Sequence, residues 1–213
     1  MNVRFSTHEI RDLLIAWVAL GIAFTLFLQP GLVQSLLQPG GGASPGTFVR
    51  ALGISLLTAG VGFLLHELAH KVVAIRFGQV AEFRADYGML FLAIASALAG
   101  FLFAAPGAVY HRGMATEREN GLIALAGPVT NVVLGAVFFP IYFFTQDSST
   151  FIALVGHLGV QINFLLAGFN MLPWGPLDGK KVQSWSTIVF VGTFVPFAVL
   201  AVFALFGMGF PRF

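Results

Sequence analysis

The chain has 213 residues, of which 57% are hydrophobic and only 9% are charged, and it contains no cysteine. Soluble domains carry roughly 25% charged residues, so the composition predicts an integral membrane protein and excludes a disordered chain, a coiled coil and a fibrous repeat. The net charge of +2 does not favour nucleic-acid binding. The absence of cysteine excludes disulfides, cysteine zinc sites and thiol nucleophiles.

Apolar runs of membrane-spanning length occur five times along the chain. A helix that crosses the hydrocarbon core needs about 20 predominantly apolar residues. The predicted spans are Leu13–Leu28, Phe48–Phe77, Gly121–Phe144, Phe151–Phe169 and Trp185–Met208. The first run has the outline of a signal peptide, but Gln29-Pro30-Gly31 follows it instead of a small-residue cleavage site, and we interpret it as a span.

The segments between these runs are short and leave no room for a soluble domain. The start of the chain, Met1–Asp12, is polar, and Pro30–Thr47 is predicted to be a loop because it is rich in proline and glycine. Gly78–Gly88 contains a polar stretch with a two-residue alternation that is typical of a short strand. We therefore interpret residues 1–213 as a single transmembrane domain.

One further apolar run, Met89–Ala105, is about 17 residues long and can just cross a bilayer. Cytoplasmic loops carry an excess of Lys and Arg. Four groups of basic residues bear on the orientation: Arg4 and Arg11 before the first span, Lys71, Arg76 and Arg84 at and after the end of the second, Arg112 and Arg118 before Gly121, and Lys180 and Lys181 before the last span. They fall on one side only if Met89–Ala105 enters and leaves by the same face.

We therefore predict an all-α polytopic protein of the cell membrane, with its N-terminus in the cytoplasm. It has five full spans and one re-entrant or β-hairpin element after the second span. A sixth full span formed by Met89–Ala105 is the alternative.

A metal-binding pattern, His66-Glu67-Leu68-Ala69-His70, stands inside the second span. Positions i and i+4 share a helix face, so both imidazoles can bind one zinc ion while Glu67 lies beside it to activate a water. Ionisable residues inside a membrane helix cost roughly 2.5–3.5 kcal/mol each and usually mark function. The pattern predicts one zinc ion per chain.

A catalytic zinc needs a third protein ligand and an open position. The aspartates of the chain are Asp12, Asp86, Asp147 and Asp178. Asp12 and Asp147 lie at the ends of other spans, and Asp147 is on the wrong face. The motif lies about 18 residues, or roughly 27 Å, into its helix and thus near the cytoplasmic boundary. Phe151–Phe169 runs in the same direction and Asp178 follows its end, so depth favours Asp178.

Two further segments complete a recognisable pattern. Asn170–Gly179 reads N-x-x-P-x-x-P-L-D-G, and Gly127–Asn131 reads G-P-x-x-N on the intervening span. With the HExxH of His66–His70, they resemble the site-2 protease family of intramembrane zinc metalloproteases. The resemblance covers residues 48–181, the predicted catalytic core, which the spans 13–28 and 185–208 flank. The chain carries neither the PDZ nor the CBS regulatory domain that members of this family often have.

The resemblance implies that His66, His70 and Asp178 are the zinc ligands and that Glu67 is the general base. The implied reaction is hydrolysis of peptide bonds within or near the transmembrane segment of a single-span membrane protein in the lipid bilayer. Such a helical substrate must unwind locally before its peptide bonds can react.

Residues that hold the substrate are predicted more loosely. The resemblance places Asn163 and Asn170 near the site, although interhelical hydrogen bonds explain these asparagines equally well. An extended substrate can add to the edge of a strand, and Ala105–Tyr110 and Val80–Arg84 are the candidate strands. The candidate substrate-binding residues are Asn163, Asn170, Pro106 and Gly107.

Water must reach the zinc, so we expect the active site to open to the cytoplasm. The predicted vestibule is lined by Lys71, Asn163, Asn170 and the Pro173–Gly179 loop. The flanking spans Leu13–Leu28 and Trp185–Met208 lack ionisable residues over their apolar length. We expect that little fixes them to the core and that they move to admit substrate laterally.

Two other readings of the HExxH motif stay open at this point. A membrane zinc protease of the prenyl-processing or heat-shock type uses a later Glu as third ligand, and the later candidates Glu82, Glu117 and Glu119 all lie in polar loops. A membrane zinc transporter or sensor without protease activity needs ligands along a path. The remaining histidines, His8, His111 and His157, are scattered.

Overall fold

The computed structural model describes residues 3–37, 44–104, 106–145, 147 and 150–209. In these ranges the chain forms nine α-helices, one two-stranded sheet and two π-helical turns. The helices are α1 (Thr7–Leu28), α2 (Pro30–Leu37), α3 (Pro45–Ser55), α4 (Val61–Arg76), α5 (Tyr87–Leu98), α6 (Glu117–Thr145), α7 (Phe151–Asn170), α8 (Asp178–Trp185) and α9 (Thr187–Val202). The strands are β1 (Val80–Ala85) and β2 (Gly107–Arg112), and the π-helical turns are Leu56–Gly60 and Phe203–Gly207.

Five helical segments in the described ranges are long and apolar enough to cross a membrane. They are Thr7–Leu28, Pro45–Arg76, Glu117–Thr145, Phe151–Asn170 and Thr187–Gly207. The second is one continuous rod, because α3, the first π-helical turn and α4 follow one another without a break. The predicted class, a helical multi-pass membrane protein with a small β-hairpin, is confirmed.

The hairpin predicted after the second span is also confirmed, and its geometry favours a re-entrant element. Helix α5 has 12 residues and is roughly 18 Å long, which is too short for a hydrocarbon core of about 30 Å. Strands β1 and β2 flank α5 and pair antiparallel, with Glu82 opposite Tyr110 and Ala85 opposite Gly107. Because the strands lie side by side, we expect the chain to return to the face from which it entered. Ala105 lies outside the described residues.

Two predicted boundaries are wrong. Pro30–Leu37 is helical although it was expected to lie in a loop, since proline is well suited to a helix start and Leu32 and Val33 are buried. Residues 38–43 of that loop lie outside the described residues. Helix α1 begins at Thr7 within the polar start of the chain, where the Ser6 side chain accepts a hydrogen bond from the Glu9 backbone N–H at 3.1 Å.

Close packing of α6 on α7 forms the centre of the bundle. A Cβ added at Gly135 would lie 2.2 Å from the Phe164 ring, and one at Gly159 would lie 2.3 Å from the Phe138 ring. Small residues of this kind let membrane helices approach closely. Most of α7 is buried, whereas most of the last span is exposed. Helix α7 is therefore the central span and α9 a peripheral one.

Single cysteines test this topology, because the native chain has none. Cysteines at Val80 and Met114, both strongly exposed on either side of the α5 excursion, should react with an impermeant thiol reagent from the same side of the membrane. A cysteine at exposed Ser44, at the other end of the second span, should react from the opposite side. Opposite labelling of Val80 and Met114 would overturn the re-entrant assignment.

Candidate metal centre and active site

Three donor atoms from two distant segments converge on one point. Helix α4 places His66 and His70 one turn apart, with 2.9 Å between their Nε2 atoms. Asp178 is the first residue of α8, and its Oδ2 lies 3.3 Å from the His66 Nε2 and 3.2 Å from the His70 Nε2. All three residues are buried.

This triangle fits a zinc ion. Zn–N and Zn–O bonds of about 2.0–2.2 Å in tetrahedral geometry place neighbouring ligand atoms roughly 3.3 Å apart, close to the observed separations. Glu67 also lies within the cluster, whose His66, Glu67 and His70 ligand atoms are within 4.8 Å of one another. The Asp178 Oδ2, within 3.3 Å of both Nε2 atoms, supplies a third corner, so Glu67 is not needed as a ligand.

The opposite ring nitrogens are held by helix α6. The His66 Nδ1 lies 2.6 Å from the Asn131 Oδ1, and the His70 Nδ1 lies 2.7 Å from the Ile123 carbonyl oxygen. Both partners are acceptors, so each Nδ1 carries the proton and donates it. This tautomer directs the Nε2 lone pairs at the centre, as metal-binding histidines require.

A relay of amides sets the orientation of Asn131. Its Nδ2 donates to the Gly62 carbonyl at 3.1 Å and to the Asn163 Oδ1 at 2.9 Å. The Nδ2 of Asn163 in turn donates to the Gly159 carbonyl at 2.8 Å. Because both Nδ2 groups are committed as donors, the Asn131 Oδ1 is left to accept from His66.

The contacts of α6 come from one face of that helix. Ile123, Gly127 and Asn131 are four residues apart and therefore lie above one another. A Cβ added at Gly127 would lie 2.5 Å from the Nε2 atoms of both His66 and His70, so only glycine leaves room for the two rings. The G-P-x-x-N motif is visible in the sequence, and the four-residue spacing of Ile123, Gly127 and Asn131 is the signal in it that indicates this role of Gly127.

Close packing also explains the glycine that follows Asp178 at the start of α8. A Cβ added at Gly179 would lie 2.0 Å from the Met171 carbonyl oxygen, so glycine allows α8 to begin against the end of α7 and brings Asp178 to the histidines. Burial raises the pKa of the Asp178 carboxyl, but His70 and His66, when their Nε2 atoms carry protons, outweigh burial and hold this pKa below its ordinary value.

A cavity of about 530 Å³ opens beside the metal-binding cluster. This volume lies within the range of small-molecule and peptide-accommodating pockets, roughly 300–1,000 Å³. Its wall is formed by the HExxH face of α4, by strand β2, by the end of α7 and by the segment that precedes α8. The metal-binding cluster is therefore reached through a cavity that strand β2 borders along its length.

The predicted substrate-binding residues divide into two groups. Asn170, Pro106 and Gly107 line the cavity. Asn163 does not line it and is fully buried behind Asn131. Lys71 is also fully buried and away from the cavity lining, so the predicted vestibule is wrong for Lys71 and Asn163 and correct for Asn170.

His111, which lies far from the HExxH motif in the sequence, also lines the cavity. Its Nδ1 lies 2.8 Å from the Gln79 Oε1 and donates to it. Burial and, to a lesser extent, the charges of Lys181 and His70 lower the pKa of His111. The ring is therefore neutral at neutral pH, and the pairing of β1 with β2 is what brings it here.

Substitution of Gly127 by alanine tests the packing of α6 on the histidines. The added methyl must displace one or both rings, and disturbance of such supporting contacts typically costs 10–100-fold in metal affinity. We expect Gly127→Ala to lose zinc affinity by about this factor in chelator competition. Gly192→Ala is the matched control, because no atom lies within 4 Å of its added Cβ. Equal affinities in the two variants would contradict the packing argument.

Comparison with known proteins gives consistent relatives, although no family model and no solved structure matches the chain. "Putative zinc metalloprotease MJ0611" of Methanocaldococcus jannaschii is 38% identical over 205 residues, which cover 95% of this chain and 97% of that protein. "Putative zinc metalloprotease YwhC" of Bacillus subtilis is 32% identical over 60% of this chain and 66% of its own length. "Putative zinc metalloprotease Rip3" of Mycobacterium tuberculosis is 29% identical over 85% of this chain and 39% of its own length. The chain therefore belongs to the site-2 protease family of zinc metalloproteases.

Proposed function

We propose that this membrane zinc protease hydrolyses peptide bonds within or near the transmembrane segments of single-span membrane proteins. The observation that carries the proposal is the convergence of His66, His70 and Asp178 beside a cavity in a bundle of five candidate spans. A metal centre inside such a bundle is reached most directly by a substrate that is itself in the membrane.

The proposed ligand set is the Nε2 atoms of His66 and His70 and the Oδ2 of Asp178. When bound there, zinc polarises the scissile carbonyl and lowers the pKa of a water toward 7. The protein holds the two imidazoles through Asn131 and the Ile123 carbonyl. Because these contacts exist before substrate arrives, little reorganisation is needed at the moment of reaction.

Glu67 is the proposed general base. It lines the cavity and lies on the same helical turn as the ligands without being required among them. In this role its carboxylate takes the proton of the attacking water and later delivers a proton to the leaving amine. Solvent exclusion around Glu67, which is 8% exposed, keeps competing water away from that transfer.

The cavity-facing edge of β2 is the proposed docking site for an unwound substrate. In an antiparallel pair, alternate residues direct their backbone groups outward. Phe83 and Ala85 of β1 direct their backbone N–H groups toward α1, so their partners Val109 and Gly107 direct theirs to the other edge of β2. On that edge the Val109 N–H contacts the Glu67 carboxylate. Gly107 and Val109 line the cavity, and a peptide added to this edge lies along the site.

The orientation in the membrane is part of the proposal. Lys181 lines the cavity, with its Nζ 3.9 Å from the Asp178 carboxylate, and Arg84 lines it from β1. Basic residues concentrate on the cytoplasmic side of membrane proteins. The N-terminus and the opening of the active site therefore face the cytoplasm.

The alternative readings of the HExxH motif have less support. A third ligand from Glu82 or Glu119 would have to leave existing partners, since Glu82 binds Ser6 and Arg84 and Glu119 binds Thr116. A transporter or sensor would not need Glu67 beside the ligands.

Substitutions at Glu67 and Asp178 separate catalysis from metal binding. Glu67→Gln should keep wild-type zinc content but lose about 10²–10⁴-fold in kcat, because it removes the proton acceptor and no ligand. Asp178→Ala should lose zinc as well as activity. Metal analysis and cleavage of a single-span reporter in proteoliposomes measure both effects, with Thr193→Val in the last span as control.

Cleavage by Glu67→Gln at the wild-type rate would contradict the assignment of Glu67 as general base. Full zinc affinity in Asp178→Ala would remove Asp178 from the ligand set. Wild-type protein that binds zinc but leaves every single-span reporter intact would argue against the proposed reaction.

Proline at Val109 tests docking at β2. Val109→Pro removes an outward N–H, which contacts the Glu67 carboxylate in the absence of substrate, while the neighbouring residues still pair with β1. Loss of the Glu67 contact alone should change kcat, whereas loss of docking should raise KM. A hydrogen bond contributes about 1 kcal/mol, so kcat/KM for the reporter should fall by roughly 5–10-fold at unchanged zinc content. Met114→Pro, beyond the end of β2, is the control. An unchanged kcat/KM in Val109→Pro would refute docking at this edge.

A further inference from the structure

A buried ion pair stands directly behind the metal-binding turn. Lys71 follows His70 and is 1% exposed. Its Nζ donates to a carboxylate oxygen of Glu9 and to the Arg4 carbonyl oxygen at 2.7 Å, and it lies 4.0 Å from the centre of the Phe5 ring. A lysine buried this deeply needs a partner of opposite charge, and the start of α1 supplies it.

The same carboxylate also binds the sheet. The Oε1 of Glu9 accepts the backbone N–H of Phe83 at 3.0 Å. One turn later, Asp12 accepts the backbone N–H of Ala85 at 3.2 Å and the Tyr87 hydroxyl at 2.7 Å. Glu9 and Asp12 of α1 thus accept hydrogen bonds from alternate backbone N–H groups on the outer edge of β1. That edge is closed to any other strand, whereas the edge of β2 is not.

The first turn of α1 departs from ordinary capping to make these contacts. Ser6-Thr7-His8-Glu9 has the S-x-x-E spacing of a capping box, in which the glutamate returns to the backbone of the cap residue. Here Ser6 accepts from the Glu9 N–H as expected, but the Glu9 carboxylate turns to Lys71 and Phe83 instead. The Ser6 hydroxyl itself donates to Glu82 of β1.

We propose that Glu9 and Lys71 are positioning residues for peptide hydrolysis. The pair joins three elements: α1, the helix that carries His66, Glu67 and His70, and strand β1. Because β1 is paired with β2 along its whole length, the Glu9–Lys71 pair holds the free edge of β2 at a set distance from Glu67. This inference rests on the proposed function, since it concerns how that docking edge is held.

The pair also changes how substrate can enter. Helix α1 is fixed to the core at this end, so the expectation that little holds the first span is wrong. The last span has no comparable contact to the sheet among the described residues and is mostly exposed. Lateral entry therefore takes place on the side of α9.

Substitutions can separate positioning from simple folding. Lys71→Met and Glu9→Gln each leave one buried polar group without its charged partner and are expected to fold poorly. The double variant removes both charges together, and the Glu9→Gln amide keeps an acceptor for the Phe83 N–H. Lys71→Arg keeps the charge and serves as the conservative variant, and Thr193→Val is the control.

Spin labels supply a readout that is independent of catalysis. Cysteines at Val80 on β1 and Ile152 on the central helix α7 are both strongly exposed and can be labelled, because the native chain has no cysteine. Labels at these positions report the placement of the sheet against the rest of the bundle. Zinc content and the midpoint of thermal unfolding are measured on the same samples.

In the double variant, we expect wild-type zinc content, a broadened distance distribution between the labels and a kcat lowered about tenfold or more. Misplacement by about 1 Å can cost up to 10²-fold in rate. KM should change much less, because the edge of β2 stays available. Lys71→Arg should recover most of the kcat and narrow the distribution.

A folded double variant with wild-type kcat and an unchanged distance distribution would overturn the positioning role. A kcat that falls only in proportion to zinc content would do so as well. If wild-type protein cleaves no membrane substrate, the proposed function fails, but the label distances still decide whether the Glu9–Lys71 pair holds the sheet.

Discussion

One cluster sets the arrangement of the bundle: the donor atoms of His66, His70 and Asp178 lie within 3.3 Å of one another among apolar helices. Ionisable groups at membrane depth cost several kcal/mol each unless they are paired or hydrogen-bonded. His66 and His70 come from one helix, but Asp178 arrives from a segment more than a hundred residues later. The start of α8, packed against the end of α7, brings that carboxylate within 3.3 Å of both imidazoles.

The central helices accommodate this cluster through small residues and buried amides. Gly127 gives the two imidazoles room, and Gly179 lets α8 start against the end of α7. The relay from Asn163 through Asn131 to His66 satisfies polar groups that would otherwise be unpaired in a low-dielectric interior. Packing and hydrogen bonding therefore act on the same ring from two sides.

The sheet lies between the metal centre and the start of the first span, and it carries the proposed docking edge for the substrate. Its inner edge lines the cavity, and its outer edge is closed by Glu9 and Asp12 of α1. Lys71 links that closure to the helix of the metal ligands. Polar residues at the start of the first span thus belong to the active-site architecture, although they lie about 60 residues before the HExxH motif.

Local pattern in the sequence is enough to predict the five candidate spans, the hairpin after the second span and the HExxH turn, and it singles out Asp178 as the proposed third ligand. Apolar length, charge asymmetry and the four-residue helical period are visible without a structure. Only the tertiary structure decided that Asn131 holds His66 while Asn163 lies behind it, and that Lys71 is buried against Glu9 instead of lining a vestibule. Those contacts depend on which faces of distant helices meet. They cannot be predicted from the sequence, because a buried polar group hydrogen-bonds to whichever partner the packing brings within about 3 Å.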